Sequence, residues 1–374
     1  MKRRSFLSKS VKTGLAASVI SQFPLFNVIS RPLKSEKGLG IALVGLGNYS
    51  TNQLAPALQE TKNCYLAGIV TGKYDKADSW IEKYSIPDKN VFDYTNFDDI
   101  SENQDIDAVY IVLPNGLHAE YTIRGAEAGK HVICEKPMAN NAADCKKMID
   151  ACKKAKKKLG IGYRLHYDPY NLEMMRLGQK EVYGKVTEID AGFGFVLRNQ
   201  DAWRMDKQLA GGGPLMDVGI YVLQGCIYTL GMLPESLVAR DVTKEPDFYD
   251  DIEGTLEWEL KFKSDVKVSC RTTYEDNYNY LKAQAEKGAF DIGPAYSYNG
   301  LKGNTPEGAM DFGNINQQAA QMDAYALHVL EGKELLVPGE MGWRDMFLID
   351  RIYESAKTGK EVSLKGIPKI LHKV

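Results

Sequence analysis

Two short segments carry side chains able to move a proton. Glu135-Lys136-Pro137 sets an amine beside a carboxylate, with Pro137 fixing the local backbone, and packing alone explains such a trio poorly. Downstream, Gly211-Gly212-Gly213-Pro214-Leu215-Met216-Asp217-Val218-Gly219-Ile220-Tyr221 places a carboxylate and a phenol four residues apart. If Pro214 opens a helix, Asp217 and Tyr221 project from one face and act on one ligand, while the three glycines let the backbone approach something flat or another domain. The bland alternative is a helix start with a surface acid and a half-buried tyrosine. A phenol with a pKa of roughly 10 is a poor base at neutral pH, and a neighbouring ammonium favours its phenolate. Lys136 brought beside Tyr221 would supply that charge, so the chemistry in view is removal of a proton from a ligand oxygen, or its return.

Positioning such groups requires a frame, and the hydrophobic pattern supplies one. Short apolar strands are expected over 40–44, 65–71, 108–113, 131–134 and 161–165, alternating with helices over 53–59, 76–84, 117–128 and 141–157. Continuous apolar strands between helices mean a doubly wound parallel sheet covered on both faces, an α/β domain. After about residue 167 the texture shifts to alternating strands over 255–262 and 266–273, with Trp258 and Phe262 among their aromatic positions, and helices become fewer. That is an α+β pattern with a mainly antiparallel sheet, closed by a helix over 343–358 that Gly359 ends. The expected organisation is a signal segment over 1–30, a dinucleotide-binding domain over 31–160 and a substrate and oligomerisation domain over 161–374. The lysines at 154–158 read as a solvated helix end.

The first strand runs straight into Gly45-Leu46-Gly47-Asn48-Tyr49-Ser50 and then a helix. Glycines at such a turn keep it tight and let the backbone approach a pyrophosphate held at the helix N-terminus, although Ser50 stands where a third glycine is usual. The end of the second strand discriminates between cofactors. An NAD site usually has an acid there for the ribose hydroxyls, whereas this chain has Thr71-Gly72-Lys73, a hydroxyl, a close-approach glycine and a cation that suits a 2′-phosphate. NADP is therefore expected ahead of NAD. Leu113, Asn115 and His118 follow the fourth strand and line the same crevice, His118 reading equally as a ligand group and as a structural histidine.

Composition excludes several other classes. The chain has 374 residues, too many for one hydrophobic core, and 47 basic against 49 acidic residues. Residues 1–30 contain Lys2, Arg3, Arg4, Lys9 and Lys12 and no acid, which leaves 42 basic against 49 acidic from Arg31 onward. A mildly acidic body argues against nucleic acid as a partner. The start, Arg3-Arg4-Ser5-Phe6-Leu7 before a weakly apolar run broken by Gly14 and Pro24, reads as a twin-arginine-type export signal and not as a membrane span. The expected location is the periplasm, or the cytoplasm if the segment is not a signal. Six cysteines, at 64, 134, 145, 152, 226 and 270, form no C-x-x-C pair, and no metal site is expected.

These segments together resemble the glucose-fructose oxidoreductase branch of the Gfo/Idh/MocA oxidoreductases. The resemblance is carried by Gly45-Leu-Gly-Asn-Tyr49, Val109-Tyr-Ile-Val-Leu-Pro-Asn115, Glu135-Lys-Pro-Met138, Gly162-Tyr-Arg-Leu-His-Tyr-Asp-Pro169 and the segment from Gly211 to Tyr221, and runs from about Gly40 to Gly359. It implies a Rossmann domain, a C-terminal domain with a large open sheet used for substrate and oligomer contacts, tightly held NADP, and periplasmic sugar chemistry. It also implies that Lys136 and Tyr221 flank the reacting sugar carbon, with Asp217 holding sugar hydroxyls or tuning Tyr221. Glu135 would bind cofactor, Tyr163-Arg164 and Trp203-Arg204 would lie near the nicotinamide end, and Tyr298 would match a later family tyrosine at the substrate. The arm available to trap cofactor, residues 31–37, is short. Two other activities fit the same fold: an NAD-dependent glycoside hydrolase, whose relatives commonly lack the lysine that stands here as Lys136, and a sugar-binding protein without turnover.

Overall fold

The structure, a computed structural model, describes residues 38–374. The expected signal over 1–30 and the arm over 31–37 lie outside the described residues. The first half alternates strand and helix through β1 (Leu39–Val44), α1 (Ala55–Leu58), β2 (Cys64–Val70), α2 (Tyr74–Tyr84), β3 (Val91–Phe92), β4 (Ala108–Ile111), α3 (His118–Glu127), β5 (His131–Cys134), α4 (Ala142–Lys154) and β6 (Leu159–Ile161). These six strands pair in parallel in the order β3-β2-β1-β4-β5-β6. Every residue of β1 is buried, as a central strand covered on both faces requires. Chain order reverses between β1 and β4, so the crevice beyond their carboxyl ends is the ligand site that this topology creates.

The second half contributes α5 (Pro169–Gln179), β7 (Val186–Gly194), α6 (Lys207–Ala210), α7 (Ile220–Leu230), β8 (Ser236–Asp241), β9 (Thr255–Lys261), β10 (Lys267–Thr273), β11 (Tyr278–Ala285), β12 (Gly288–Ile292), β13 (Gly303–Thr305), β14 (Gly308–Met310), α8 (Gln317–Glu331), α9 (Gly339–Thr358) and β15 (Val362–Ser363). Its nine strands form one open sheet, β14-β13-β12-β11-β7-β10-β9-β8-β15, antiparallel except where β7 and β10 run parallel. Alternation is plain in β9, where Leu256, Trp258 and Leu260 are buried and Glu259 and Lys261 are exposed. The buried side receives α7, whose residues are all buried because sheet and neighbouring helices enclose it. The opposite side presents Glu188, Glu259, Lys267, Lys282 and Gln284 to solvent.

Late helices tie the second half back to the first sheet. Tyr325 on α8 donates its hydroxyl to the Val132 carbonyl of β5 at 2.9 Å, and Ile161 N–H of β6 reaches the Val337 carbonyl at 3.0 Å. Asp323 accepts the amides of Lys62 and Asn63, just before β2. Among the described residues no helix is long and apolar enough to cross a membrane.

Three elements depart from the sequence expectation, each for a local reason. The strand expected over 161–165 stops at Ile161 and becomes a 3-10 turn, Arg164–Tyr167. Asp168 then accepts the amides of Tyr170 and Asn171 as the cap of α5, with Pro169 at its first position. The helix expected over 141–157 begins after Asn141, whose side chain caps it by accepting from Asp144 N–H at 2.9 Å, and ends at Lys154, with Lys156 left-handed at φ 57°. The second half also holds five helices, more than its texture suggested, because apolar α7 and the glutamine-rich start of α8 do not show a clean helical stripe.

Candidate active site

The turn after β1 has the geometry that its glycines announce. Gly45 is left-handed at φ 94°, and a Cβ there would fall 2.5 Å from the Val112 carbonyl, so only glycine fits. Gly47 differs: a Cβ built on it meets no protein atom within 4 Å, so protein packing does not demand this glycine. Ser50, at the position where a third glycine is usual, is buried and donates its hydroxyl to the Gly45 carbonyl at 2.5 Å, which closes the turn from within. Asn48 and Tyr49 follow at the start of the helical segment. The turn and the open space before Gly47 fit a dinucleotide phosphate, and Gly45, Gly47 and Asn48 are the residues that would hold it.

At the end of β2, Thr71 is buried with its N–H bound to the Phe92 carbonyl, while Gly72 lies over the Tyr94 ring and Lys73 is exposed. A second cation stands here that the sequence reading missed. Lys76 on α2 reaches the Leu46 carbonyl of the glycine turn with its Nζ at 2.8 Å. On the β4 side, Asn115 is buried and donates to the Ala210 carbonyl at 2.8 Å, and the Leu113 side chain packs against Gly45. His118 takes the structural of its two readings. Its ring is fully buried between the Pro137 and Leu113 carbonyls, each 2.8 Å from a ring nitrogen, which leaves no atom of it for a ligand. Burial pushes its pKa down, while the two carbonyls, which only N–H groups satisfy, pull the other way.

Lys136, Asp217 and Tyr221 converge. The Lys136 ammonium donates to the Asp217 main-chain oxygen at 2.5 Å, lies 3.4 Å from its Oδ1 and stands 4.9 Å from the centre of the Tyr221 ring. Asp217 sits in a π-helical turn, Leu215–Gly219, that precedes α7, not in a regular α-helix begun at Pro214. Its Oδ2 accepts from Arg204 Nε at 2.7 Å and from the Tyr274 hydroxyl at 3.1 Å. Burial opposes charge on Asp217, but Arg204 and Lys136 outweigh it and hold the carboxyl down at about 2. Arg204 lies over the Trp203 ring at 4.6 Å, so the pair joins the site through Asp217.

A second charged pair backs the first. Glu135 is buried, accepting from the Tyr110 hydroxyl at 2.6 Å and from Lys136 N–H at 3.2 Å. Gly162 is what makes room for it, since a Cβ there would come within 2.5 Å of the carboxylate. Burial raises the Glu135 pKa, and the Tyr110 hydrogen bond, Lys136 and Arg164 pull the other way. Arg164, also buried, donates to the carbonyls of Tyr296 at 2.6 Å and Ser297 at 3.0 Å and to Gln317 Oε1. Its guanidinium lies 5.3 Å from the Tyr221 ring centre and 4.4 Å from that of Tyr298, and Tyr298 stacks on Tyr49 at 5.9 Å. Tyr298 thus stands between Arg164 and Tyr49.

The three glycines serve the chain's own packing. A Cβ on Gly212 would meet the Tyr353 hydroxyl at 2.0 Å, one on Gly213 the Glu253 carbonyl at 2.1 Å, and one on Gly211 the Asn140 side chain at 2.6 Å. Gly211 thus approaches the first half of the chain, one of the two expectations, while Gly212 and Gly213 are packed within the second half. Glu253, buried and unforeseen, accepts the amides of Gly213 and Leu215 and the Tyr353 hydroxyl, which fixes the turn carrying Asp217. Tyr110, Tyr274 and Gln317 were also missed. Tyr110 was findable, because a phenol within the apolar run Ala108–Ile111 needs a buried partner. Among the described residues no cluster of three or more His, Cys, Asp or Glu could hold a metal, and all six cysteines are buried free thiols.

Comparison with known proteins agrees with this geometry. Residues 39–163 match the oxidoreductase family with the NAD-binding Rossmann fold, and residues 172–292 match the GFO/IDH/MocA C-terminal domain. An aldose-aldose oxidoreductase from Caulobacter crescentus, solved with glycerol, is 38% identical with a TM-score of 0.84 and covers 88% of this chain and 100% of its own. The D-xylose 1-dehydrogenase [NADP(+)] of Haloarcula marismortui is 27% identical over 86% of this chain and 92% of its own length. The D-glucoside 3-dehydrogenase of Escherichia coli is 26% identical over 87% and 97% respectively. With both of its characteristic domains matched and a lysine, an aspartate and a tyrosine meeting beside a dinucleotide turn, the chain belongs to the Gfo/Idh/MocA oxidoreductase family.

Proposed function

We propose that the protein is an exported NADP-dependent sugar oxidoreductase of the glucose-fructose type, passing reducing equivalents between two sugars on one retained cofactor. The convergence of Lys136, Asp217 and Tyr221 carries this reading. The similarity to an aldose-aldose oxidoreductase favours coupling of two sugars, and Thr71-Gly72-Lys73, with no acid at the end of β2, favours NADP over NAD. When bound, the dinucleotide accepts hydride from the sugar carbon or returns it. The phenolate oxygen of Tyr221 takes the hydroxyl proton as the carbonyl forms, and the resulting phenol gives it back in the reverse direction. Lys136, aimed by Asp217, favours that phenolate by its charge. Asp217, ionised between two cations, accepts hydrogen bonds from sugar hydroxyls, and Tyr298, held beside Arg164, lines the substrate side. The 1–30 segment directs export to the periplasm, and the solvent-facing side of the nine-stranded sheet joins copies of the chain.

The test is mass spectrometry of the cofactor released from purified protein, followed by a panel of free sugars and aryl glycosides. NADP released, with paired oxidation and reduction of sugars that Tyr221→Phe abolishes, is the expected result. Net hydrolysis of glycosides would replace this reading with the hydrolase, and sugar binding that survives without turnover would replace it with a binding protein.

A further inference from the structure

Behind the two charged pairs lies α8, whose first two turns carry three glutamines, Gln317, Gln318 and Gln321, all buried. Burying an amide side chain costs free energy unless its hydrogen bonds are made, so glutamines on the inner face of a helix call for an account. Two of them are spent on the site. Gln317 accepts from Arg164 through Oε1 and donates through Nε2 to Asp168 Oδ2 at 2.8 Å. Gln321 donates through Nε2 to the Tyr110 hydroxyl at 2.9 Å, and that hydroxyl donates in turn to Glu135 Oε1 at 2.6 Å. Gln317 and Gln321 are four apart and share one helix face. Their targets come from different parts of the chain, Arg164 from the turn after β6 and Glu135 from the end of β5.

We propose that Gln317 and Gln321 are positioning residues, a two-pronged brace by which α8 sets Arg164 against Tyr221 and Glu135 beside Lys136. This rests on the oxidoreductase reading of the site. The prongs have separable effects. Gln317 acts on the group next to Tyr221, where the proton moves. Gln321 acts, through Tyr110, on the carboxylate at the end of β5, on the dinucleotide side of the crevice. Asn316 caps α8 by accepting from Ala319 N–H at 3.1 Å, so the helix start is fixed independently of either glutamine.

The experiment uses the whole protein and two readouts, NADPH affinity from the quenching of its fluorescence on titration, and kcat for the most active sugar. Gln321→Met is expected to weaken NADPH binding about tenfold with a smaller change in kcat, the loss of one hydrogen bond to a charged network. Gln317→Met is expected to lower kcat about tenfold while NADPH affinity stays within about twofold. Tyr110→Phe keeps the ring packed in β4 and guards against a Gln321 variant that folds poorly. It should weaken NADPH binding as Gln321→Met does, and the double variant should be no weaker than Tyr110→Phe alone, because both lie on one chain of bonds.

A pH series separates this from simple loosening. Glu135 faces Tyr110, Lys136, Arg164, Tyr49 and Tyr298, and the Tyr110 hydroxyl favours its ionised form. Losing that hydroxyl raises the Glu135 pKa, so the pH at which NADPH affinity fades on acidification moves upward most in Tyr110→Phe, and in the same direction by less in Gln321→Met, which keeps the hydroxyl and only withdraws its amide donor. Equal effects of both glutamine variants on both readouts, or strict additivity of Tyr110→Phe with Gln321→Met, overturn the brace. Wild-type protein that carries no dinucleotide as purified and quenches neither NADPH nor NADH overturns the oxidoreductase reading itself.

Discussion

Lys136 Nζ donates to the main-chain oxygen of Asp217 at 2.5 Å and stands 3.4 Å from Oδ1 of the same residue. One residue, in the π-helical turn before α7, thus supplies both acceptors that aim the amine, its carbonyl and its side chain. The Lys136 and Asp217 side chains are each only about an eighth exposed, at 12% and 13%, so the amine is nearly enclosed with the Tyr221 ring.

Replacing the amine tests whether its charge acts in the chemical step. Lys136→Met keeps length and apolar contact and removes the cation. It is expected to lower kcat by about a hundredfold or more with NADPH affinity nearly unchanged, the range typical for loss of a proton-transfer partner. Steady-state kinetics beside a fluorescence titration checks this, and an unchanged kcat would remove Lys136 from the mechanism.

Asp217 makes a different prediction, about stability. With its carboxyl held at about 2, its contribution is complete above the unfolded value of roughly 4 and is lost only as pH falls from there through the folded value. Between pH 5 and 9, therefore, Asp217 does not titrate. Asp217→Asn leaves Lys136 and Arg204 facing each other without an anion and is expected to cost about 3 kcal/mol by denaturant unfolding, equally at both ends of that range. A cost that grows on acidification within it contradicts the assignment.

Much of this was legible in the chain, and what was not has a physical reason. The parallel sheet was readable because β1, β4 and β5 are short runs of buried aliphatics between helices, and the Gly45 turn because its left-handed residue can only be glycine. Lys136, Asp217 and Tyr221 were readable because charges and phenols beside glycine and proline have few packing explanations. Partners contributed by distant strands and helices were invisible: Tyr274 and Glu253 come from loops flanking β10 and β9, and Gln317 from a helix 153 residues beyond Arg164. For Gly211, Gly212 and Gly213 the choice between a flat ligand and another domain stayed open for the same reason, since a sequence shows that a side chain is excluded but not by what; Gly211 meets Asn140 of the first half. His118 was undecidable until both of its nitrogens were seen to face backbone carbonyls.

The two glycines of the turn after β1 separate fold from binding. Gly45→Ala forces a Cβ into the Val112 carbonyl at a left-handed backbone position and is expected to destabilise the protein by about 2 kcal/mol or more. Gly47→Ala meets no protein atom within 4 Å and is expected to leave the unfolding midpoint almost unchanged while weakening NADPH binding at least tenfold, because the new methyl occupies the space a phosphate needs. Paired thermal melts and titrations check both, and intact dinucleotide affinity in Gly47→Ala would place the pyrophosphate elsewhere.

His131, at the start of β5, predicts how the fold responds to acid. Burial, with Lys157 and Lys158 close by, lowers its pKa to about 4, and its Nδ1 accepts the Lys158 N–H at 3.0 Å, which requires the unprotonated nitrogen. The unfolded chain therefore binds this proton more readily than the folded one between about pH 6.5 and 4, and stability falls as pH drops through that window. His131→Gln retains an acceptor for Lys158 without titrating. The melting temperature of the variant is expected to fall less than that of wild type between pH 7 and 4.5, while the two proteins differ little at pH 8; parallel losses across the window would show that His131 is not among the groups that take up the proton.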